Sequence, residues 1–387
     1  MAPIVHVIDP DYDTVLILKN ASTKFASWPS EDEPSIAAPT TPFNTYQKKR
    51  KALKAYKAEL TAVPSRTTDA TTSVSSTAPE EKEVHYHVSS RHLQLASPWF
   101  KRAMTKDGWA ESKLINGHHQ VLAHDWDEQA FRTLLNMLHL RNKQVPRTVS
   151  LEMLAKTAVL VDYYECGEAI ELFTATWIGY VQETEIPSTY CRDLILWIWV
   201  AWVFDLSQQF EDATAAVIKE SNEAMETLEL PIPNSVSSEV DLRRYQALES
   251  VIGGLHGLLD QYRSNSYVCK HNSTLSFQCG SFLLGALTKE LGGWSLLSPR
   301  PEIPFQELVF SDICAKVENA RSPHWCCTYS RGYGVHDGQH ACNLTQNVKE
   351  IVSKAKSGVV GLSLSNMRSS GSDVGAQSAS QLGLCFA

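Results

Sequence analysis

At 387 residues, 43 % of them apolar, the chain has room for two or three domains and a sizeable core. A net charge of −8 argues against a whole-chain nucleic-acid or anionic-membrane role, because phosphate binding needs clustered Lys and Arg. The 9 cysteines are odd in number and scattered, and the opening MAPIVHVIDPDYD has neither a basic segment nor a long apolar run. Thiols in a reducing cytoplasmic or nuclear setting are therefore expected, not secretion.

In chain order, residues 9–20 read as a strand, opened by Asp9-Pro10 and closed by Asn20. Residues 26–83 are rich in Pro, Ser, Thr, Ala and Glu and poor in aliphatics, so they bury too little apolar surface to offset their ordering entropy and are expected to be disordered. Within them Tyr46 to Leu60 has helical spacing. Lys48, Lys49, Arg50 and Lys51 match a nuclear-import run, with a solvated basic face as the plainer reading.

The period then changes. Val84, Tyr86 and Val88 alternate as on one face of a strand. Ser89 and Ser90 offer an N-cap, after which Leu93, Ala96, Ser97, Phe100 and Met104 step by three and four. This predicts a strand leading into a core helix split by Pro98. His119 to His124 reads as a strand. Asp125 and Asp127 precede a helix from Glu128 to Leu140, with Phe131, Leu134, Leu135 and Leu138 as its buried stripe. Ser150 caps the next helix, Gly167 breaks it, and another runs from Ala169 to Val181.

The run Leu194 to Phe204, LILWIWVAWVF, falls short of the roughly 20 apolar residues a membrane span needs, and reads as a buried core helix. Helices are expected from Gln208 to Leu228, Asp241 to Arg263, Ser281 to Leu291 and Pro304 to Ala320. From Ser357 the Gly- and Ser-rich composition predicts a disordered tail over 357–387. The reading is α+β: a mixed domain over 9–183, with 26–83 inserted between its first two strands, then a mostly α-helical domain over 184–330.

Three ordered patterns carry a resemblance. Leu93-x-x-x-Ser97-x-x-Phe100 resembles the L-x-x-x-S-x-x-F signature of the BTB/POZ domain. Asp13-Thr-Val-Leu-Ile-Leu-Lys19 is similar to its first strand, and Leu122-x-x-Asp125-x-x-x-x-x-Phe131-x-x-Leu134-Leu135 to its D…F..LL helix. The likeness is closest to the BTB proteins of filamentous fungi that carry a Trp-rich helical region after the domain. Where many members have His four residues before the signature leucine, this chain has Ser89. The resemblance implies a BTB/POZ fold, a small sheet plus a helical cluster, with Leu93, Ser97, Phe100, Phe131, Leu134 and Leu135 in its core. It implies no catalytic centre but a protein–protein interaction module, pairing with itself or acting as a substrate adaptor for a cullin-3 ubiquitin ligase. The partner surface would then include Asp125, Asp127 and Glu128, with the helix from Ala169 to Val181 beside it. A nuclear regulator or scaffold is the alternative.

Catalytic patterns are missing: there is no G-x-x-x-x-G-K-[ST], no G-x-S-x-G and no H-E-x-x-H. Neither a cofactor nor a metal is expected. His324, Cys326, Cys327, His336, His340 and Cys342 lie close in sequence, but adjacent cysteines rarely bind one ion, and a polar loop is the better reading. Cys269-x-His271…Cys279 lacks partners. A ligand- or metal-binding helical C-terminal domain is the alternative of another class.

Overall fold

A β-branched run opens the fold. The computed structural model describes residues 3–22, 24–29, 83–105, 114–115, 117–182, 185–323 and 342–369. The expected insertion, apart from residues 26–29 and 83, lies outside the described residues, as do Lys48 to Lys51. The chain divides into two units. The first comprises Met1–Pro187, Cys191–Phe210 and Thr227–Pro233; the second comprises Ser188–Tyr190, Glu211–Glu226 and Asn234–Ala387.

The first unit is built on a five-stranded mixed sheet in the order β1-β3-β2-β5-β4. Its strands are β1 (Ile4–Val7), β2 (Thr14–Lys19), β3 (Glu83–Val88), β4 (Leu114–Ile115) and β5 (His118–His124). The central β2 pairs antiparallel with β3 and parallel with β5, while β1 runs parallel to β3. Alternation sends Leu16, Leu18, Val84, Tyr86, Val88 and Val121 to one buried face, as a period of two requires.

Helices α1 (Ser90–Ala96), α2 (Pro98–Thr105), α3 (Glu128–Leu138), α4 (Leu151–Tyr164), α5 (Gly167–Val181) and α6 (Arg192–Val203) complete this unit. The expected single helix is two, because Ser97 turns extended at φ −143° and Pro98 starts α2, where its missing N–H costs nothing. Ser97 is fully buried and used twice: Oγ accepts from the Phe100 backbone N–H at 3.0 Å, and its hydroxyl donates to the Tyr164 carbonyl at the end of α4. Phe100 stacks on Tyr164 at 4.8 Å, Phe131 follows at 5.9 Å, and Tyr86 meets Phe131 edge-on at 5.3 Å. Leu93, Phe100, Phe131, Leu134 and Leu135 are all fully buried. Glu165 in the left-handed region, not Gly167, ends α4; Gly167 begins α5.

The Trp-rich helix is a correction to the expected domain boundary. Leu194 to Ala201 are buried all round, and α6 packs on α4 within the first unit rather than opening the C-terminal domain. Arg192 at its start donates to the Phe25 and Ala26 carbonyls and pairs with Glu152 of α4 at 2.8 Å. Residues 25–26 are thereby fixed, although the composition placed the disordered insertion from residue 26. Among the described residues no helix is long and apolar enough to cross a membrane.

Helix α7 (Ser207–Glu220) starts in the first unit and continues into the second. The second unit then contains α8 (Asn234–Arg263), α9 (Ser276–Gly293), α10 (Phe310–Glu318) and α11 (Leu344–Gly358). Arg244 of α8 is fully buried, and its guanidinium donates to the carbonyls of Ser221, Pro304, Phe305 and Leu308 at 2.8 to 3.0 Å. The helix expected from Pro304 to Ala320 starts only at Phe310, and residues 304–309 form a loop wrapped on this group, with Phe305 at φ 53° and Glu307 at φ 63°. The helical unit also runs past residue 330, since α11 packs on α8.

The expected tail is corrected too. Leu362 and Leu364 are buried, the Leu362 N–H donates to Thr214 Oγ1 at 2.8 Å, and Arg243 holds the carbonyls of Val360 and Gly361. A Cβ on Gly361 would overlap the Glu211 carbonyl, so only glycine permits this approach. Of the expected tail, 370–387 lie outside the described residues.

Two substitutions probe these cores. Phe100→Ala should cost about 3–5 kcal/mol in urea denaturation, and an unchanged midpoint would remove the ring from the core. Arg244→Lys should cost about 3 kcal/mol or more, because a single ammonium cannot reach four carbonyls that the fork serves together. A loss under about 1 kcal/mol would mean that those carbonyls find other donors.

Candidate interaction surface

Strand β1 sits at the edge of the sheet. Its backbone pairs with β3 on one side, and among the described residues no strand lies on the other. An edge presents unpaired N–H and C=O groups along its free side. Ile4, Val5 and Val7 are 50 %, 47 % and 58 % exposed, which is unusual for a β-branched run. Ile4 to Val7 pair with Val84 to His87 within the chain, and the Ile8 N–H closes on the His87 carbonyl.

The register places Val5 opposite His85 and Val7 opposite His87, on the sheet face away from the buried side chains. Leu122 of β5, at 49 % exposed, is on that face as well. Tyr12 is stacked between His87 at 3.8 Å and His118 at 4.9 Å. Burial, with His85 and His118 nearby, holds the His87 imidazole below its ordinary pKa. On the other face His6 stacks on Tyr86 at 5.3 Å and reaches Glu128 Oε1 at 3.2 Å.

Between β1 and the C-terminal end of α3 runs a groove of about 400 Å³, lined by Val5 to Ile8 together with Arg132, Asn136, Arg141 and Gln144. Arg132 and Arg141 are exposed. No carboxylate is among the lining residues. The groove therefore combines free strand backbone, apolar side chains and two guanidinium groups.

The residues proposed from sequence as a partner surface are largely occupied. Asp127 caps α3, accepting from the Ala130 N–H at 2.9 Å, and pairs with Lys156 at 2.9 Å. Glu128 is held by His6. Asp125 is exposed, sits at φ 61° and donates its N–H to the Lys19 carbonyl at 3.0 Å. Aspartate tolerates that left-handed turn, so its place in the pattern has a backbone reason. On α5, Leu172 is 79 % and Tyr180 50 % exposed. Of the cysteine and histidine set near the C-terminus, only Cys342 is described, and the structure brings it beside Cys269 and Cys279. Sequence reasoning missed the Arg132 and Arg141 groove; the β-branched residues Ile4, Val5, Val7 and Ile8 were the available sign that a strand lay there.

Ser89 and Ser90, at the start of α1, are both held by partly buried polar contacts. The Ser89 N–H donates to His139 Nε2 at 3.0 Å, and His139 Nδ1 lies 2.8 Å from the Leu135 carbonyl. One nitrogen accepts and the other donates, so the ring is neutral. Ser90 gives both its N–H and its hydroxyl to Asp13, binding the start of α1 to β2. Burial works against the Asp13 charge, but these Ser90 bonds outweigh it and hold the carboxyl below its ordinary value.

Comparison with protein-family models, with curated proteins and with solved structures finds no match.

His139 sets a pH dependence. Burial pushes its pKa below the ordinary 6.5, and a proton on Nε2 would face the Ser89 N–H. The folded state thus binds this proton less readily than the unfolded chain. The contribution is fully present above pH 6.5 and is lost as pH falls below it toward the depressed folded value. Urea midpoints taken from pH 7.5 to 5 should fall, and His139→Gln should be less stable at pH 7.5 yet lose less on acidification. Parallel curves for the two proteins would remove His139 from the account.

Proposed function

We propose that this chain is a protein–protein interaction module of the BTB/POZ type, without a reaction of its own. The observation that carries the proposal is the open edge of β1 running beside the Arg132 and Arg141 groove. An extended segment can add to such an edge as a further strand, main-chain hydrogen bonds supplying affinity and side chains specificity. The two guanidinium groups favour a segment carrying Asp or Glu. The central β2, antiparallel to β3 and parallel to β5, and the Leu93–Ser97–Phe100 core agree with the three sequence patterns. The narrower role as a cullin-3 adaptor rests on the resemblance, with the exposed Leu172 and Tyr180 of α5 as the surface it would use.

The test is affinity capture with the full chain, read by mass spectrometry, beside an Arg132→Glu/Arg141→Glu variant and a Leu172→Ala/Tyr180→Ala variant. Both variants change exposed side chains, so their melting should match the parent. A partner recovered by the parent and reduced at least tenfold by the charge reversal supports the groove. Equal recovery by all three proteins overturns it. Cullin-3 lost only in the α5 variant supports the adaptor role, and its absence from the parent's partners removes ubiquitin chemistry.

A further inference from the structure

The second unit holds a cluster that no sequence spacing pointed to. Cys269 lies in the loop after α8, Cys279 in the first turn of α9, and Cys342 two residues before α11. All three are buried, and their Sγ atoms lie within 4.8 Å of one another. Cys269 Sγ and Cys342 Sγ are 3.8 Å apart. That is far beyond the roughly 2.05 Å of a disulfide bond. It equals the edge of a tetrahedral thiolate site, since sulfurs about 2.3 Å from zinc stand roughly 3.8 Å apart.

The surroundings are those of a ligand set, not of three apolar thiols. The Asn272 backbone N–H points at Cys269 Sγ at 3.5 Å, and the Tyr267 hydroxyl lies 3.3 Å from Cys279 Sγ. Such donors stabilise thiolate and orient it, as the outer shell of a metal site does. Tyr267 reaches this place because Gly280 has no side chain; a Cβ there would stand 2.9 Å from its ring. Cys342 also lines an open cavity of about 420 Å³ with Tyr262, Lys270, Asn347 and Glu350, so an ion has an entry path.

We propose that Cys269, Cys279 and Cys342 bind one zinc ion as three thiolates, the fourth position being taken by a nitrogen or oxygen donor. The chemistry is that of a soft d10 cation, which thiolates select over magnesium or calcium. The ion would join the α8–α9 loop and the start of α9 to the approach to α11, a segment far along the chain. Because the ion binds the folded arrangement, its removal lowers stability.

The full chain is purified under reducing conditions without chelator, and its metal is measured by mass spectrometry alongside a melting curve. One zinc per chain is expected, and the melting temperature should fall when a chelator strips it and recover when zinc returns. Cobalt(II) in its place should give sulfur-to-metal charge-transfer absorption with the strong visible bands of a tetrahedral site. Cys279→Ser and Cys342→Ser should each drop the zinc content at least tenfold, while Cys314→Ser, a buried cysteine of α10, should keep it. Should the first two misfold, the cobalt spectrum of the parent still decides. Less than a tenth of an equivalent of zinc with no cobalt spectrum overturns the site. So does recovery of copper(I) alone, or a Cys269–Cys342 disulfide in the reduced protein.

Discussion

The first unit depends on one buried hydroxyl. Ser97 lies where α1 stops, α2 starts and α4 ends, and each of those ends leaves backbone groups unpaired. Its oxygen takes the Phe100 N–H and its proton goes to the Tyr164 carbonyl. Alanine would leave both groups buried and unsatisfied, at about 1–3 kcal/mol each. A larger polar residue has no room, because Ser97 is fully buried against stacked Phe100 and Tyr164. The ring series continues through Phe131 to Tyr86, so the position of one hydroxyl is carried from the helices to the sheet. Asp13 repeats the device at the other end of α1, where the residue just before β2 supplies the carboxylate that receives Ser90. Sheet and helices are held by groups that satisfy each other's ends, and little freedom remains in the angle at which β2 meets α1.

The second unit solves the same problem with a charge. Four carbonyls of irregular chain, at Ser221, Pro304, Phe305 and Leu308, turn inward around Arg244. Without a donor they would each carry a desolvation cost; with the fork in place they define the loop. The arrangement uses dipoles in place of a direct carboxylate partner. Asp241, one turn earlier on α8, has its own task, accepting the Met225 N–H at 2.9 Å, and burial raises its pKa. A guanidinium is well suited to this role because it is planar, multidentate and weakly hydrated.

What the sequence disclosed follows from the range of each interaction. The Leu93, Ser97 and Phe100 spacing, and the stripe Phe131, Leu134 and Leu135, are local periodicities, and all six residues are buried as their spacing implies. The tryptophans of α6 were legible as core, yet a helix apolar on every side carries no direction, so its place on α4 could not be read. The tail misled because composition averages over positions: among many Gly and Ser, the triad Gly361, Leu362 and Leu364 does the docking. Cys269 and Cys342 are separated by 73 positions, and Val5 and Arg132 by more than a hundred, so no window could join them. Such juxtapositions arise only once the chain is folded.

The open edge is also governed by what surrounds it. A free β edge invites indiscriminate pairing, and proteins limit this with short strands and nearby charge. β1 is four residues long, and Arg132 and Arg141 stand along the groove beside it. Two copies meeting edge to edge would bring four guanidinium groups together, with Glu128 already engaged by His6. Like charges oppose that encounter, whereas an extended segment bearing carboxylates relieves it. The same two arginines therefore protect the edge from its own kind, and on the proposed reading a heterologous acidic strand is the occupant that both effects favour.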